Sequence, residues 1–527
     1  MTKTTAAENP PTQKYALWGA GVLLLVFLLY VPALGNYLQG DDFEWLNSVY
    51  RAGQHPGLFF EKINNFQRPL VKFTYWLNYS LFGTRVPYYN LFTVLLHLAN
   101  LWLFLLLLLR LSGRARPAAV VILAYGASAL YSEVTLWAAG RPDSLLMLFV
   151  LGALLLLAGP PGPAPRWGIA RQALLLLLAV GAAAAKESWV ILPFLALAML
   201  WLAAGLPFNK ALARTLPLFG LLGLYLACFI GWPLLQGRAA FTAYGRSGWH
   251  GMLDKAVLLI YKYFGLGECY QGAWWQPALL FVLLASGLFF LIRRRNRMAL
   301  FGLVWLGLGI GVSLPIYYAP ARYNYIPLMG FWLMIVFAAA AELRAFLRRR
   351  PEQRLIAAVI LGLPLLFYLA QQAIMLHWEI GDYRLRGRLH EQVADMYDRV
   401  KGAVPRDRPL LFIDLGKRQA VQETAAAVRG YNKLLFVRKR AIWEQVFLAP
   451  LANFLGNPRS VFLGEAGRDE LPALLRGEMT TLFFTDDGFS IWRGTDQQKK
   501  VLEYFSRAGE LPYKVQVLRF RAAGRAT

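Results

Sequence analysis

The residues best suited to chemistry are carboxylates that lie close to apolar segments. The segment Gly40-Asp-Asp-Phe-Glu-Trp45 places two adjacent carboxylates, Asp41 and Asp42, shortly after the first apolar stretch. Such a pair could share a proton, hold a cation or act as a general base. Because Asp after Gly is also ordinary turn chemistry, a solvated loop start is the structural alternative.

A second group of charged residues surrounds a short connection between two apolar segments. Glu133 is expected at the C-terminal end of a helix, where an acid is electrostatically disfavoured, so its presence there indicates a function. Arg141 and Asp143 open the next helix around Pro142. Since Pro and Asp both suit a helix start, stabilisation of that helix is the alternative interpretation of Asp143.

Two further positions carry charges between apolar segments. For Lys186-Glu187, a structural ion pair at a helix junction is the alternative to a binding role. Arg322 is flanked by the tyrosines Tyr317, Tyr318, Tyr323 and Tyr325. Anchoring at the lipid headgroups explains these tyrosines, whereas a phosphate partner would explain the guanidinium. His97, within an apolar segment, is predicted as a packed, hydrogen-bonded helix contact rather than a ligand.

The elements that must position these residues follow from composition. Of 527 residues, 57% are hydrophobic and only 16% are charged, whereas soluble globular proteins carry about a quarter charged residues. We therefore predict a polytopic α-helical membrane protein rather than a soluble enzyme. Its eleven spans are expected near residues 15–34, 88–109, 117–133, 143–158, 171–185, 188–204, 215–234, 276–292, 298–317, 323–341 and 354–376.

Cysteine usage and motif content exclude several other classes. Cys228 and Cys269 are the only cysteines, which excludes a disulfide-stapled secreted scaffold and a Cys-rich metal site. The sequence has no Walker A loop, no GxGxxG after a strand, no HExxH and no GxSxG. Nucleotide-driven transport and the common hydrolase mechanisms are therefore not expected.

The net charge of +25 reflects membrane topology rather than nucleic-acid binding. The N-terminal tail and loops 110–116, 159–171, 205–214, 293–297 and 342–354 hold 18 Lys/Arg against three acids. The positive-inside rule places these segments in the cytoplasm. The outer loops are then 35–87, 134–142, 235–275 and 318–322, and the chain after His377 is also outside.

The same pattern bears on the first apolar stretch and on the acids of the membrane part. The first apolar stretch is long enough to favour an uncleaved anchor over a cleaved signal peptide. Besides the three acids of the cytoplasmic segments, the membrane part contains nine acids, and all nine are expected on or near the outer face. They predict an acidic site that faces outward.

The chain is expected to divide into a membrane domain, residues 1–376, and a soluble extracytoplasmic domain, residues 377–527. Apolar runs at 409–414, 434–437 and 480–485 predict buried strands, and 419–431 and 441–454 predict helices. The tail is therefore predicted as a small α/β or α+β domain. It contains no repeat at the 34-residue tetratricopeptide period.

Several pieces occur in an order that resembles a known family. They are Asp41-Asp42, Arg68-Pro-Leu-Val-Lys-Phe-Thr-Tyr-Trp-Leu-Asn-Tyr-Ser-Leu-Phe-Gly83, Tyr89-Asn-Leu-Phe-Thr-Val-Leu-Leu-His-Leu-Ala-Asn100, Glu133 with Gly140-Arg-Pro-Asp143, Lys186-Glu187 and Arg322-Tyr-Asn-Tyr-Ile-Pro327. Together, over about residues 15–340, they resemble the membrane part of the transmembrane-and-tetratricopeptide O-mannosyltransferase-like proteins. These belong to the GT-C class of polyprenyl-phosphate-sugar-dependent glycosyltransferases, as do protein O-mannosyltransferases. The chain departs from them in lacking the repeats and in having Asp-Asp where O-mannosyltransferases have Asp-Glu.

The resemblance implies an inverting transfer of a sugar from a polyprenyl-phosphate donor to a hydroxyl of a protein, lipid or glycan. One carboxylate would remove the acceptor's proton, as in inverting glycoside hydrolysis. Its implied catalytic residues are Asp41, Asp42 and Glu133. The implied phosphate ligands are Arg322, Lys186, Arg141 and Tyr323, with Asp143 and Glu187 supporting them.

No cofactor is required by the resemblance, since some enzymes of this class use a divalent cation and others do not. If one binds, Asp41, Asp42 and Glu133 are its expected ligands. The expected location is a bacterial inner membrane, with membrane lipids rather than nucleic acid as partners. The alternative is a non-catalytic transporter or scaffold for lipid-linked envelope sugars. A transporter would need polar residues through the membrane midplane, whereas the charges here concentrate outside.

Overall fold

The computed structural model describes residues 12–54, 56–60, 67–159, 168–228, 248–266, 273, 275–316 and 320–400, and five strands between residues 410 and 520. Contacts divide the chain into two compact units. The first comprises residues 1–34, 64–71 and 90–380, and the second comprises residues 35–63, 72–89 and 381–527.

Most of the described chain is helical. The α-helices are Thr12–Tyr30, Asp41–Gln54, Pro69–Phe82, Val86–Ser112, Ala115–Gly126, Ser132–Leu136, Arg141–Ala158, Ile169–Ala185, Leu192–Ala198, Phe208–Leu226, Trp249–Tyr263, Trp275–Arg293, Arg297–Gly311, Tyr325–Arg349 and Arg354–Val400. Short 3₁₀ or π turns connect several of them: Val31–Gly35, Pro56–Phe60, Ala129–Tyr131, Ala138–Gly140, Glu187–Ile191, Met199–Ala203, Ala321–Asn324 and Pro351–Gln353.

Six helices within the described residues are long and apolar enough to cross a membrane, and a bent pair of helices raises the number to seven. The protein is therefore a polytopic helical integral membrane protein. Three shorter apolar helices, Ile169–Ala185, Glu187–Ala203 and Arg297–Gly311, match further predicted spans in position. The predicted span 215–234 begins late, because its helix already starts at Phe208, and its end lies outside the described residues. The total of eleven spans stays a prediction.

The third predicted span, 117–133, is broken. Its helix ends at Gly126, and the following helical segment, Ala129–Leu136, is bent from it by 51°. The break is held by Gln372, whose Oε1 accepts hydrogen bonds from the Ser128 hydroxyl and the Ala129 amide at 3.2 and 2.9 Å. Glu133 therefore lies in the first turn of a short helix, where an acid is favourable. The prediction that Glu133 occupies an unfavourable helix end, which indicated its function, is wrong.

The backbones of the helices Arg297–Gly311 and Tyr325–Arg349 are in direct contact at glycine positions. A Cβ on Gly302 would lie 2.5 Å from the amide nitrogen of Met334, and one on Gly309 would lie 2.8 Å from the Cα of Pro327. Association of helices in lipid relies on such close van der Waals packing of small residues. The start of the second helix, just after Arg322, is thereby fixed against its neighbour.

The last predicted span, 354–376, is the first part of a continuous 47-residue helix, Arg354–Val400. The domain boundary predicted between residues 376 and 377 lies within this helix. Pro364 is accommodated inside it.

The tail contains a five-stranded mixed sheet with strand order β2-β5-β1-β3-β4. Its strands are β1 (Leu410–Asp414), β2 (Val461–Glu465), β3 (Thr480–Thr485), β4 (Gly488–Trp492) and β5 (Gln516–Phe520). β1 and β3 pair in parallel, with Leu411 opposite Thr481, and the other neighbours are antiparallel. The strands predicted at 409–414 and 480–485 are thus present. The predicted strand 434–437 and helices 419–431 and 441–454 lie outside the described residues.

Candidate functional site

Three cations surround the ring of Tyr323 in the first unit. The Nζ atoms of Lys186 and Lys255 lie 5.0 and 5.4 Å from the ring centroid. The guanidinium carbon of Arg322 lies 5.7 Å from it. Cations at such distances are attracted to the electron-rich ring. We call these four residues the Tyr323 cluster. The structure thus brings together three predicted phosphate ligands, Arg322, Lys186 and Tyr323, and adds Lys255.

Lys186 is held by a buried carboxylate. Its Nζ lies 2.6 Å from each oxygen of Asp143. Asp143 lies in the first turn of the helix Arg141–Ala158, so it both starts that helix and binds the lysine. Burial lowers the pKa of Lys186, the charge of Asp143 opposes this shift, and the charges of Arg68 and Arg322 add to it. The ammonium of Lys186 is therefore held in a poorly solvated place, where Asp143 balances its charge.

Glu187 pairs with Arg68. Nε and Nη2 of Arg68 donate to the two carboxylate oxygens at 3.1 and 2.7 Å, a bidentate geometry. Both residues of the Lys186-Glu187 junction thus form ion pairs, as the structural alternative supposed, but each pairs with a residue of another segment. Arg68 was not among the predicted site residues. Its only signal was its place before Pro69 in the run that carries the family resemblance.

Arg322 pairs with Glu133. One carboxylate oxygen, Oε2, accepts from Nη1 of Arg322 at 3.0 Å and from its backbone amide at 3.3 Å. The guanidinium also lies 5.9 Å from the ring of Trp137. Gly140 lets the chain fold back here, because a Cβ at this position would collide with the backbone carbonyl of Glu133. The turn between Glu133 and Arg141 thus presents the carboxylate to Arg322.

An amphipathic helix, Trp249–Tyr263, holds the segment that leads to Arg322. Nζ of Lys255 donates to the carbonyls of Ser313 and Ile316 at 2.6 and 3.0 Å. The hydroxyl of Tyr263 donates to Oδ1 of Asn324 at 3.1 Å. Burial lowers the pKa of Lys255 to about 8. Lys255 was not predicted as a site residue, since it lies in a predicted outer loop without a motif.

Arg141 is placed differently from the other predicted phosphate ligands. It is completely buried. Its Nε donates to the hydroxyl of Thr93 at 3.0 Å, and its guanidinium carbon lies 4.9 Å from the ring centroid of Phe92. These contacts are with the helix Val86–Ser112 and not with the Tyr323 cluster. They favour a role in packing.

The adjacent carboxylates Asp41 and Asp42 lie in the second unit, in the first turn of the helix Asp41–Gln54. Asp42 is buried and accepts hydrogen bonds from the Tyr75 hydroxyl at 2.6 Å and the Gln39 amide at 2.9 Å. The alternative of a solvated loop start is therefore wrong for Asp42. Asp41 is half-buried. The pair thus combines a rigidly held carboxylate with a more accessible one.

His97 is a packed helix contact, as predicted. Its Nδ1 lies within hydrogen-bond distance, 3.0 Å, of the hydroxyl oxygen of Tyr325, and the Asn100 amide donates to that oxygen at 3.1 Å. The imidazole is completely buried among tyrosine rings, those of Tyr30, Tyr125, Tyr131 and Tyr325.

A divalent cation finds no support in the donor set of the described residues. They contain no group of three or more His, Cys, Asp or Glu side chains that could hold a metal ion. Glu133, one of the three ligands named from the sequence, is engaged by Arg322. We therefore assign no step to a metal. Tyr317 and Tyr318, predicted beside Arg322, lie outside the described residues.

These features define an integral membrane protein with a partly buried cluster of cations and carboxylates at the ends of its helices. No family model matches the sequence, and the comparison with curated proteins finds no match. Among solved structures, the chain is similar to the crystal structure of ArnT from Cupriavidus metallidurans bound to undecaprenyl phosphate. The TM-score is 0.49 at 16% sequence identity, over 98% of this chain and 100% of that one. The function of the chain therefore has to follow from the chemistry of its site.

Proposed function

We propose that the protein is an inverting glycosyltransferase that moves a sugar from a polyprenyl-phosphate donor to a hydroxyl of a protein, lipid or glycan. The observation that carries this proposal is the Tyr323 cluster, where Lys186, Lys255 and Arg322 surround one ring. A polyprenyl phosphate has the matching chemistry, with an anionic head and an apolar chain that a helical membrane protein can hold. The family resemblance supplies the reaction class.

The cluster suits the leaving group of such a transfer. As the sugar departs, its bond to the phosphate oxygen breaks and the phosphate gains negative charge. Arg322 offers a planar fork of donors for phosphate oxygens, and Lys186 and Lys255 add point charges. Cations positioned in a poorly solvated site stabilise such developing charge more strongly than they would in water. A phosphate leaving group stabilised in this way needs no general acid.

The acceptor's proton needs a base, for which we assign the Asp41/Asp42 pair. Asp42 is fixed by Tyr75 and Gln39. Asp41 is more accessible, and we therefore prefer it as the base. Glu133 pairs with Arg322, and we therefore assign it to the phosphate site. The base removes the hydroxyl proton as the acceptor oxygen attacks the anomeric carbon opposite the phosphate, which inverts that carbon.

The remaining parts of the proposal concern placement in the membrane. We place the N-terminus in the cytoplasm of a bacterial cell, and the site and residues 377–527 outside the inner membrane, with eleven spans. Reporter fusions after Gly113, Leu206 and Arg297 should read cytoplasmic, and fusions after Gly245 and Thr527 should read external. A cytoplasmic signal at Thr527 would overturn this orientation.

The transfer itself is tested with the full chain reconstituted in liposomes and a labelled polyprenyl-phosphate sugar. Asp41→Asn should lower transfer by a factor on the order of 10² or more, the usual scale of a lost general base. Asp42→Asn should also lower transfer, because it removes a charged acceptor for Tyr75. Glu352→Gln, which removes an exposed acid from the turn Pro351–Gln353, is the control and should transfer normally. Normal transfer by both Asp41→Asn and Asp42→Asn would move the base elsewhere. Donor binding by wild type without transfer to any acceptor would favour the transporter or scaffold.

A further inference from the structure

The three ion pairs around the Tyr323 cluster differ in how easily they can open. The Lys186–Asp143 side chains are 6% and 2% exposed, and the lysine touches both oxygens. Arg68 and Glu187 form two parallel hydrogen bonds, with 11% and 39% exposure. Arg322 and Glu133 are 20% and 22% exposed and share a single carboxylate oxygen. Of the three ion pairs, only Arg322–Glu133 has both side chains partly exposed to solvent and contact through a single carboxylate oxygen.

The burial of each ion pair determines which carboxylate an incoming phosphate can displace. Breaking a buried pair leaves a charge without compensation in a poorly solvated place, so the Lys186–Asp143 pair is costly to separate. A partly exposed pair gains little net energy, because water solvates both partners when they part. A phosphate that approaches the cluster is therefore expected to displace Glu133 before Asp143.

We propose that Glu133 is the resident counter-ion of the donor site: it occupies Arg322 in the ligand-free protein, gives way to the donor's phosphate, and returns to Arg322 as the product leaves. This inference rests on the proposed function and makes Glu133 a positioning residue rather than a base. It differs from the catalytic role that the family resemblance implies for Glu133, and the kinetics described below decide between the two.

The charges of donor and product give the exchange a direction. The donor is a phosphodiester with one negative charge. The product is a monoester, whose second pKa near 6 gives it about −1.5 to −2 charge at pH 7. A cationic site alone would therefore retain the product more tightly than the donor. A nearby carboxylate opposes the more highly charged ligand more strongly and competes with it for Arg322, so Glu133 favours product release.

The test measures binding of a short-chain polyprenyl monophosphate to the full-length protein in detergent. Glu133→Gln keeps the size of the side chain but removes its charge, and it should bind the monophosphate on the order of tenfold more tightly than wild type, a typical coupling between sites. Glu133→Asp keeps the charge and should bind like wild type. The matched control is Glu342→Gln, which removes the acid from the partly exposed pair Arg294–Glu342. It should leave the affinity unchanged.

Kinetics separate this role from that of a base or a purely structural residue. In Glu133→Gln the KM for the donor should fall, product inhibition should strengthen, and kcat should fall only as far as product release slows. A kcat loss on the order of 10² or more with unchanged product affinity would make Glu133 the base. If Glu133→Gln is thermally unstable, Glu133→Asp still decides, because tighter binding despite a retained charge would contradict the counter-ion role.

The outcomes distinguish the inference from the proposed function. Equal or weaker monophosphate binding by Glu133→Gln overturns the inference, while the proposed function stands if Arg322→Ala loses binding. If wild type does not bind the monophosphate, or Arg322→Ala binds it as well as wild type does, the proposed phosphate site itself is wrong.

Discussion

The hydroxyl of Tyr263 donates a hydrogen bond to Oδ1 of Asn324. This bond joins the amphipathic helix Trp249–Tyr263 to the turn that carries Arg322 and Tyr323. The amide of Asn324 in turn donates to the carbonyl of Leu130 at 2.8 Å, next to the segment that carries Glu133. Asn324 therefore ties the turn that carries Arg322 both to the amphipathic helix and to the segment just before Glu133.

Tyr263→Phe should weaken donor binding without removing it. The change deletes the bond to Asn324 and costs about 1 kcal/mol, the usual net value of a hydrogen bond, or roughly a fivefold loss of affinity if it falls on the bound state. The measurement is donor affinity and KM in the reconstituted protein. Tyr261→Phe, a half-buried tyrosine on the same helix, is the control. Equal effects of the two changes would refute a specific role for Tyr263.

Arg322→Lys should fail to restore full activity, and Arg322→Ala should lose more. An ammonium keeps the charge but not the planar bidentate contact with phosphate oxygens. Because the phosphate gains charge as the sugar leaves, kcat should fall together with donor affinity. The alternative makes Arg322 an interfacial anchor, for which Lys would serve by snorkelling. Equal rates for wild type and Arg322→Lys would support the anchor.

Donor affinity should decrease as the pH rises through about 8. The pKa of Lys255 is lowered to about 8, so its positive charge is lost well below the ordinary lysine pKa of about 10.4. In Lys255→Arg the charge persists, and the decrease should move to higher pH. Donor affinity measured between pH 6.5 and 9.5 for both proteins checks this. The same pH profile in both would exclude Lys255 as the titrating group.

The lowered pKa of Lys255 also makes the free energy of unfolding depend on pH. Between about pH 8 and 10.4 the unfolded chain binds more protons than the folded one at this position. The contribution of Lys255 to the free energy of unfolding therefore increases with pH in that window.

Gly140→Ala should destabilise the turn between Glu133 and Arg141. The added methyl group collides with the backbone carbonyl of Glu133, and such overpacking typically costs about 1–3 kcal/mol. Thermal unfolding and donor binding should both deteriorate. At Gly287, in the helix Trp275–Arg293, an added Cβ meets nothing within 4 Å. Gly287→Ala should therefore leave both properties nearly unchanged, and similar losses in the two variants would contradict the steric argument.

Much of this arrangement could be expected from the sequence, because charges in a membrane protein collect where helices end. That logic singled out Lys186 and Arg322, which lie beside the ring of Tyr323. It singled out Glu133 on a wrong helix end, although Glu133 does pair with Arg322. It did not identify their partners. Lys186 and Glu187 are adjacent in sequence, yet they pair with Asp143 and Arg68, because helix packing decides which ends meet.

Other features left weak signals in the sequence. The break after Gly126 interrupts a long apolar run, and its best local indication was Ser128, whose hydroxyl accepts a hydrogen bond from the Leu130 amide. The bonds to Gln372 that stabilise the break join residues more than 240 positions apart. The last span was predicted to end at residue 376, where the apolar residues end, whereas the helix continues to Val400. Polar residues end an apolar span without ending a helix.

The backbone packing at Gly309 and Pro327 has a kinetic consequence for the site. Arg322 lies five residues before Pro327, where the backbone of the helix Tyr325–Arg349 contacts the helix Arg297–Gly311 at Gly309. A shift of the helix Tyr325–Arg349 would therefore require these two helices to separate. The exchange of Glu133 for phosphate is then a rotation of side chains. Exposed rotamers change within picoseconds to nanoseconds, whereas collective helix shifts take microseconds to milliseconds. We therefore expect donor capture at Arg322 to be limited by diffusion of the lipid within the bilayer and not by opening of the protein.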